Sequence, residues 1–182
     1  MSNGINIMNR NIAQLKEDML YGEFERMQES AKKLIEIGGP EISNLFISLL
    51  ESENPAVRNI AALCLADMKE QRAVGPLLKS IFVKENLDAN GTLVYALQFL
   101  DFSKRIKELF KILFYCDYEP KLSAFDILSE QIFEFSQQDI YEIFEMWEDC
   151  KRNPQKCPHY NNLEVRAMME DSVEGFRVHL AQ

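Results

Sequence analysis

Ile42-Ser43-Asn44-Leu45-Phe46-Ile47-Ser48-Leu49-Leu50 is written again 32 positions later as Val74-Gly75-Pro76-Leu77-Leu78-Lys79-Ser80-Ile81-Phe82. After another 32 it returns as Ile106-Lys107-Glu108-Leu109-Phe110-Lys111-Ile112-Leu113-Phe114. In each copy the apolar residues fall at i, i+3, i+4, i+7 and i+8, which is one face of an α-helix. The stretch Glu41 to Cys116 therefore encodes the same amphipathic helix three times. Between the first two copies, Asn54-Pro55-Ala56-Val57-Arg58 leads into Ile60, Ala61, Ala62, Leu63 and Leu65, a second helix entered through a proline. A helix pair recurring every 30-odd residues predicts an all-α fold, a right-handed α-α superhelix in which each pair covers the apolar face of the next.

The pattern extends outward. Ile12, Leu15, Met19 and Leu20 match the first copy at a shift of 30, with Lys16 in place of Phe46, as suits a wetter end repeat. Phe24, Met27, Ala31, Leu34 and Ile35 make the helix that follows, closed by Gly38-Gly39-Pro40. In the third repeat Asp88 to Leu100 is expected to be one helix, with Gly91 inside it at about 1 kcal/mol against alanine. Ser103 is expected to cap the next helix, and Glu119-Pro120 to mirror Asn54-Pro55. Ile140, Ile143, Phe144 and Trp147 then repeat the outer face at a shift of 34. The chain thus reads as one domain over 1–182 with about five helix pairs, a frayed leader over 1–9, a loop over 151–162 and a terminal capping helix over 163–182.

The stretch Asn54-Pro55-Ala56-Val57-Arg58-Asn59-Ile60-Ala61-Ala62-Leu63, followed by Arg72-Ala73-Val74-Gly75-Pro76-Leu77-Leu78, resembles a HEAT-like (armadillo-type) repeat. The resemblance is strongest from Pro40 to Phe82. It implies an α-solenoid that binds other macromolecules; a minority of such proteins act on DNA bases, attach pigments or carry iron. It also implies that Arg58 pairs with a neighbouring acid. The di-iron members carry repeated His-Glu pairs on their inner helices, whereas His159 and His179 here lie outside the repeats and neither precedes a glutamate.

Charge narrows the class of partner. With 20 basic and 29 acidic residues the net charge is −9, which favours basic partners over nucleic-acid backbones and anionic membranes. Apolar runs are short, as in Leu45-Phe46-Ile47, so neither a membrane span nor a secretory signal is expected. Four unevenly spaced cysteines suit a reduced, cytoplasmic setting better than a disulfide framework. Cys64 reads as core. Cys150, Cys157 and His159 invite a zinc reading, but the spacing matches no common finger.

Candidate binding residues are acidic. From Asp126 to Asp149 there is no lysine or arginine. Taking Asp139 as zero, Ile140, Ile143, Phe144 and Trp147 point between about 40° and 140°. Glu142, Glu145 and Asp149 point between about −60° and −120°, so a stripe of carboxylates faces water. Asp126, Glu130 and Glu134, at i, i+4 and i+8, are expected to form a second stripe on the preceding helix. Like charges at that spacing cost roughly 0.2–0.5 kcal/mol per pair. The stripes read either as a solvated face or as a docking surface for a positively charged protein. Asn90, Tyr95 and Gln98 are expected on the exposed side of the third repeat. No catalytic, cofactor-binding or metal-binding residue is expected, and neither a glycine-rich phosphate loop nor a nucleophile motif occurs.

By analogy of size and charge, the chain resembles the acidic immunity proteins that neutralise basic nuclease-like toxin domains, which implies a protein partner and a monomer when free. The alternative implied by the HEAT-like resemblance is an enzyme or lyase accessory working through its concave face.

Overall fold

The computed structural model describes residues 2–180, with side chains from residue 11 to residue 180. Among these residues every regular element is helical and no strand occurs. The chain divides into two compact units, Met1–Ser80 and Ile81–Gln182.

In the first unit, α1 (Ser2–Tyr21) packs on α2 (Phe24–Ile37), α2 on α4 (Pro55–Asp67), and α3 (Pro40–Leu49) on α4. The helix over Ser2–Tyr21 replaces the expected leader, apart from Met1, which lies outside the described residues. Gly38 and Gly39, at φ of +64° and +87°, make the left-handed stop between α2 and α3 that only glycine adopts freely. Asn54 caps α4 by accepting from the Ala56 N–H at 2.9 Å, and Pro55 supplies the first helical residue. A short 3-10 turn then leads into α5 (Val74–Ile81). Arg72 bonds Asn44 at 3.1 Å, Lys79 pairs with Glu51 at 2.6 Å, and the Ser80 hydroxyl donates to the Leu50 carbonyl at 2.9 Å. Those contacts lay α5 parallel to α3, 28 to 30 residues on.

The second unit repeats this arrangement. It contains α6 (Gly91–Leu97), α7 (Ile106–Tyr115), α8 (Tyr118–Glu130), α9 (Gln137–Arg152) and α10 (Leu163–Glu174). Lys107 reaches Asp139 at 3.0 Å and Glu142 at 2.9 Å near the starts of α7 and α9, and Phe114 stacks on Trp147 further along both helices. These two helices are therefore parallel neighbours. So are α6 and α8. A Cβ on Gly91 would meet Glu119 Oε2 at 3.0 Å, and past the other end Gln131 donates to the Leu100 carbonyl and accepts from the Phe102 N–H. The long-range bonds between these neighbours span 29 to 35 residues, so the period read from the sequence is also the spacing of the tertiary contacts.

The core is built from the repeated face. Ile42, Phe46, Leu49 and Leu50 are buried, as are Val74, Leu77, Leu78 and Ile81, and all five of Ile106, Leu109, Phe110, Leu113 and Phe114. At roughly 1.5–3 kcal/mol per buried large side chain, that face is the main reason the helices form. Two copies depart from the rule. Leu45 is only half-buried, and Phe82 is exposed because α5 ends one residue before it. Lys16, at the wet end-repeat position, pairs with Glu41 at 3.1 Å.

The third repeat departs most from expectation. The helix expected over Asp88 to Leu100 is broken into a 3-10 turn (Lys84–Ala89) and the short α6, with Asn90 between them. Gly91 is thus the first residue of a helix, not an interior one, and its missing side chain admits Glu119. Ser103 does not cap α7; Arg105 precedes that helix without a side-chain cap, and the Ser103 N–H bonds Asp101. The cap of α8 is Asp117, three residues before Pro120. The expected terminal helix stops at Glu174, before Gly175, and a further 3-10 turn covers Arg177–His179.

α4, the residue before α6, and α8 carry a shared device. Arg58 Nη1 donates to the carbonyls of Ser52 (2.7 Å) and Glu53 (3.0 Å). One period on, Asn90 Nδ2 donates to the Ile81 carbonyl at 3.0 Å. One more period on, Lys121 Nζ donates to the carbonyls of Leu113 (2.7 Å) and Phe114 (2.8 Å). All three side chains are buried. Each satisfies carbonyls at or just past the end of an earlier helix, α3, α5 or α7, where helix geometry leaves such groups without a partner. Arg58 therefore bonds backbone oxygens, where the family resemblance implied an acid. Replacing Asn90 by alanine leaves the Ile81 carbonyl buried without its donor, at a cost of about 1–3 kcal/mol. Urea denaturation of Asn90→Ala should show this as a lower midpoint at unchanged slope, and an unchanged midpoint would remove the structural role assigned to Asn90.

Candidate functional site

The acidic residues of the second unit lie on two separate surfaces with different electrostatics. The first is α9. Its start is fixed by a capping box: Ser136 accepts from the Asp139 N–H, and Asp139 accepts from the Ser136 N–H at 2.8 Å and the Ser136 hydroxyl at 2.7 Å. As the angular reading requires, Ile140, Ile143 and Trp147 are buried, and the carboxylates lie on the other side.

That stripe, however, is largely matched by cations. Lys107, one period before Asp139 on α7, holds both Asp139 and Glu142. Lys156 holds Asp149 at 3.2 Å, and Lys151 pairs with Glu148. Hydrogen bonds from Ser136, then Lys107, bring the Asp139 carboxyl down to about 2. Lys107 and Gln138 hold Glu142 below its ordinary value, and its two carboxylates raise Lys107 in return. Lys156 and Asn153 lower Asp149 in the same way. The repulsion expected along α9 is relieved within the chain. Glu145 alone among the predicted α9 residues is exposed with no ion pair among the described residues.

The second surface is formed by the parallel pair α6 and α8. Facing away from the buried Ala124 and Ile127, α8 exposes Leu122, Asp126 and, at its end, Glu130. Beside it α6 presents Tyr95, 45 % exposed, and just past that helix stands Phe99, 50 % exposed. Their rings meet edge to face at 5.2 Å. Gln98 is half-buried, and Ile132, following α8, is 90 % exposed. Neither Asp126 nor Glu130 has an ion pair among the described residues, and Glu130 sits at a helix C-terminus, where the dipole disfavours a negative charge. An apolar surface edged by unmatched carboxylates can take a ligand that is both basic and apolar.

Two predicted residues leave this set. Glu134 is not on α8, which ends at Glu130; the chain is extended there and Glu134 lies 3.6 Å from Lys104. Asn90, expected at the surface, is 1 % exposed and serves the Ile81 carbonyl. The outward i, i+4 spacing therefore holds for Asp126 and Glu130 only.

The cysteine–histidine constellation also separates. Cys150 and Cys157 are buried, whereas the His159 ring lies at the surface against Asp117. Among the described residues no group of three or more His, Cys, Asp or Glu side chains is placed to hold a metal ion. Trp147 packs against Phe114 at 5.8 Å and Cys64 is core, as their positions in the repeat required. No helix of the described residues is long and apolar enough to cross a membrane. Sequence reasoning missed Lys107 as the counter-charge of α9, although its place one repeat period before Asp139 was a usable signal.

Asp139 allows a pH test. Its folded carboxyl titrates at about 2 against an ordinary 3.8, so its contribution is present above about pH 4. That contribution is lost as the pH falls through 2. The stability difference between the chain and Asp139→Asn, followed by denaturant unfolding, should be full at pH 7 and vanish near pH 2. Ser136→Ala should cost about 1 kcal/mol at neutral pH through the same box.

No protein-family model matches this chain, and no curated protein matches it in sequence.

Proposed function

We propose that the chain is a non-catalytic protein-binding module, a right-handed α-solenoid of about five HEAT-like helix pairs. The reading is supported by the parallel helix neighbours about one sequence period apart within each unit. It is supported as well by the repeated burial of the outer face and by the buried donors Arg58, Asn90 and Lys121. In this reading the α6–α8 face of the second unit is the binding surface and a basic protein is the partner. Most concretely, the chain is a cytoplasmic inhibitor of the immunity type, and its partner is the nucleic-acid-binding surface of a nuclease-like toxin domain.

One observation carries the choice of surface. Asp126 and Glu130 have no ion pair among the described residues, and on the neighbouring α6 and just past it the exposed rings of Tyr95 and Phe99 occupy the places 31 residues before them. On α9, by contrast, Asp139, Glu142 and Asp149 are already engaged by lysines. A partner cation approaching those groups must compete with an existing pair, whereas one approaching Asp126 or Glu130 does not. Acidic groups of this kind raise association rate and specificity, and the apolar centre holds the complex together.

The test is binding to a basic nuclease domain encoded beside this chain, measured by titration calorimetry at two salt concentrations. Affinity should fall with salt, and the double reversal Asp126→Lys/Glu130→Lys should weaken binding by about tenfold or more. Phe99→Ala should weaken it without altering the salt dependence. Retained affinity in both variants would overturn the assignment of this face, and retained nuclease activity in a saturated mixture would overturn the inhibitor reading.

A further inference from the structure

We propose that the flank of α9 beneath residues 175–180 is a docking site for a partner segment in which an aromatic residue is followed by an arginine, and that the chain's own Phe176-Arg177 occupies it as a displaceable stand-in. This site is separate from the α6–α8 face and does not rest on the function proposed for that face. Three rings build it: Phe110 from α7, Phe135 from the connection before α9, and Phe144 from α9 itself. The Phe176 ring meets Phe110 edge to face at 5.7 Å and Phe135 at 5.5 Å. The Arg177 guanidinium lies 5.2 Å from the centre of the Phe144 ring, and the His179 ring meets Phe135 at 4.9 Å.

Two observations make that occupant removable. First, its polar bonding is entirely local. The Gly175 N–H bonds the Asp171 carbonyl, the Phe176 N–H that of Val173, the His179 N–H that of Phe176 and the Leu180 N–H that of Arg177. Arg177 Nε donates to Glu174, and among the described residues no hydrogen bond joins segment 175–180 to α7 or α9. Ring contacts are what hold it there, while Val178 is 65 % exposed and His179 is exposed. A segment attached in this way opens at little cost. Second, the site is larger than its occupant. Tyr141, one turn before Phe144 on the same flank, is 52 % exposed, and Glu145, next after Phe144, is exposed with no ion pair among the described residues. A partner segment longer than 175–180 covers the tyrosine and offers the glutamate a cation.

The rings set the chemistry that is recognised. Phe110 and Phe135 favour an aromatic ring between them, since edge-to-face pairs contribute beyond the area they bury. The face of Phe144 favours a cation, and a planar guanidinium stacks there as a lysine ammonium does not. The net charge of −9 attracts the same cationic partner. Because Phe176-Arg177 is tethered, it competes at high effective concentration and keeps the site closed to weaker ligands. The contact is therefore autoinhibitory.

The experiment titrates a synthetic peptide with the sequence of residues 175–180 into the isotopically labelled full chain, parent and Phe176→Ala/Arg177→Ala, and follows the amide shifts by NMR. The variant should bind the peptide about tenfold or more tighter than the parent, because its site stands open. The shifts should centre on Tyr141, Phe144 and Glu145, and a peptide with glutamate in place of its arginine should not bind. No binding to the folded variant, equal affinity for variant and parent, or shifts confined to another surface would each overturn the proposal. Sedimentation showing that the parent chain dimerises by exchanging this segment would assign the site to a second copy and overturn the partner reading. Amide hydrogen exchange of the parent chain decides displaceability even where the variant fails to fold. His179 and Leu180 should exchange much faster than Trp147 in α9, and equal protection of all three would overturn the proposal.

Discussion

At three places in the chain a polar donor must enter the dry corner where a helix ends and the chain turns back. The last carbonyls of an α-helix have no partner within it, and here buried side chains reach carbonyls at or just past such ends. Arg58, Asn90 and Lys121 supply the missing donors from equivalent places, 32 and 31 residues apart. For Lys121 the balance is exacting. Removing an ammonium from water costs several kcal/mol, and two carbonyls at the negative end of the α7 dipole are what offset it. The neutral Asn90 carries no such penalty but brings one donor group to one carbonyl. It sits just before its helix, which accounts for the broken inner segment of the third repeat. Two helices lack the device: the fourth residue of α2 is the buried Met27, and that of α10 is Arg166, lying over the Tyr160 ring.

The same corner joins ring packing to buried polar bonding in the second unit. Phe114 stacks on Trp147 through its ring and, through its carbonyl, receives both Lys121 and Cys157. The end of α7 is thus held from α8, from α9 and from the segment after α9. Cys157 and Lys121 serve one carbonyl oxygen at the terminus of α7.

Electrostatics divides the surface into matched and unmatched parts, a distinction that net charge cannot make. The −9 of the whole chain describes long-range attraction for cations, while specificity depends on which carboxylates lack a local partner. Lys107 neutralises the first turn of α9 because parallel packing sets its side chain against Asp139 and Glu142. No lysine stands in that relation to Asp126 or Glu130; the residues 31 positions before them are Tyr95 and Phe99. The contrast between the two surfaces arises from helix neighbours, not from helix sequence.

Periodicity in the sequence was enough to place the outer-face helices and most of the side chains they bury, since an amphipathic stripe has one low-energy orientation toward a core, but not the break at Asn90 or the helix over Ser2–Tyr21. It also placed Trp147 and Cys64 inside and put the α9 carboxylates outside. It could not reveal that Asn90 and Lys121 point inward, because an asparagine or lysine is outside by default and only an orphaned carbonyl draws it in. Nor could a string of acids show which ones meet a lysine from another helix, or that α8 stops before Glu134. Those outcomes depend on distances between segments some 30 residues apart, which the tertiary structure alone brings within reach of a hydrogen bond.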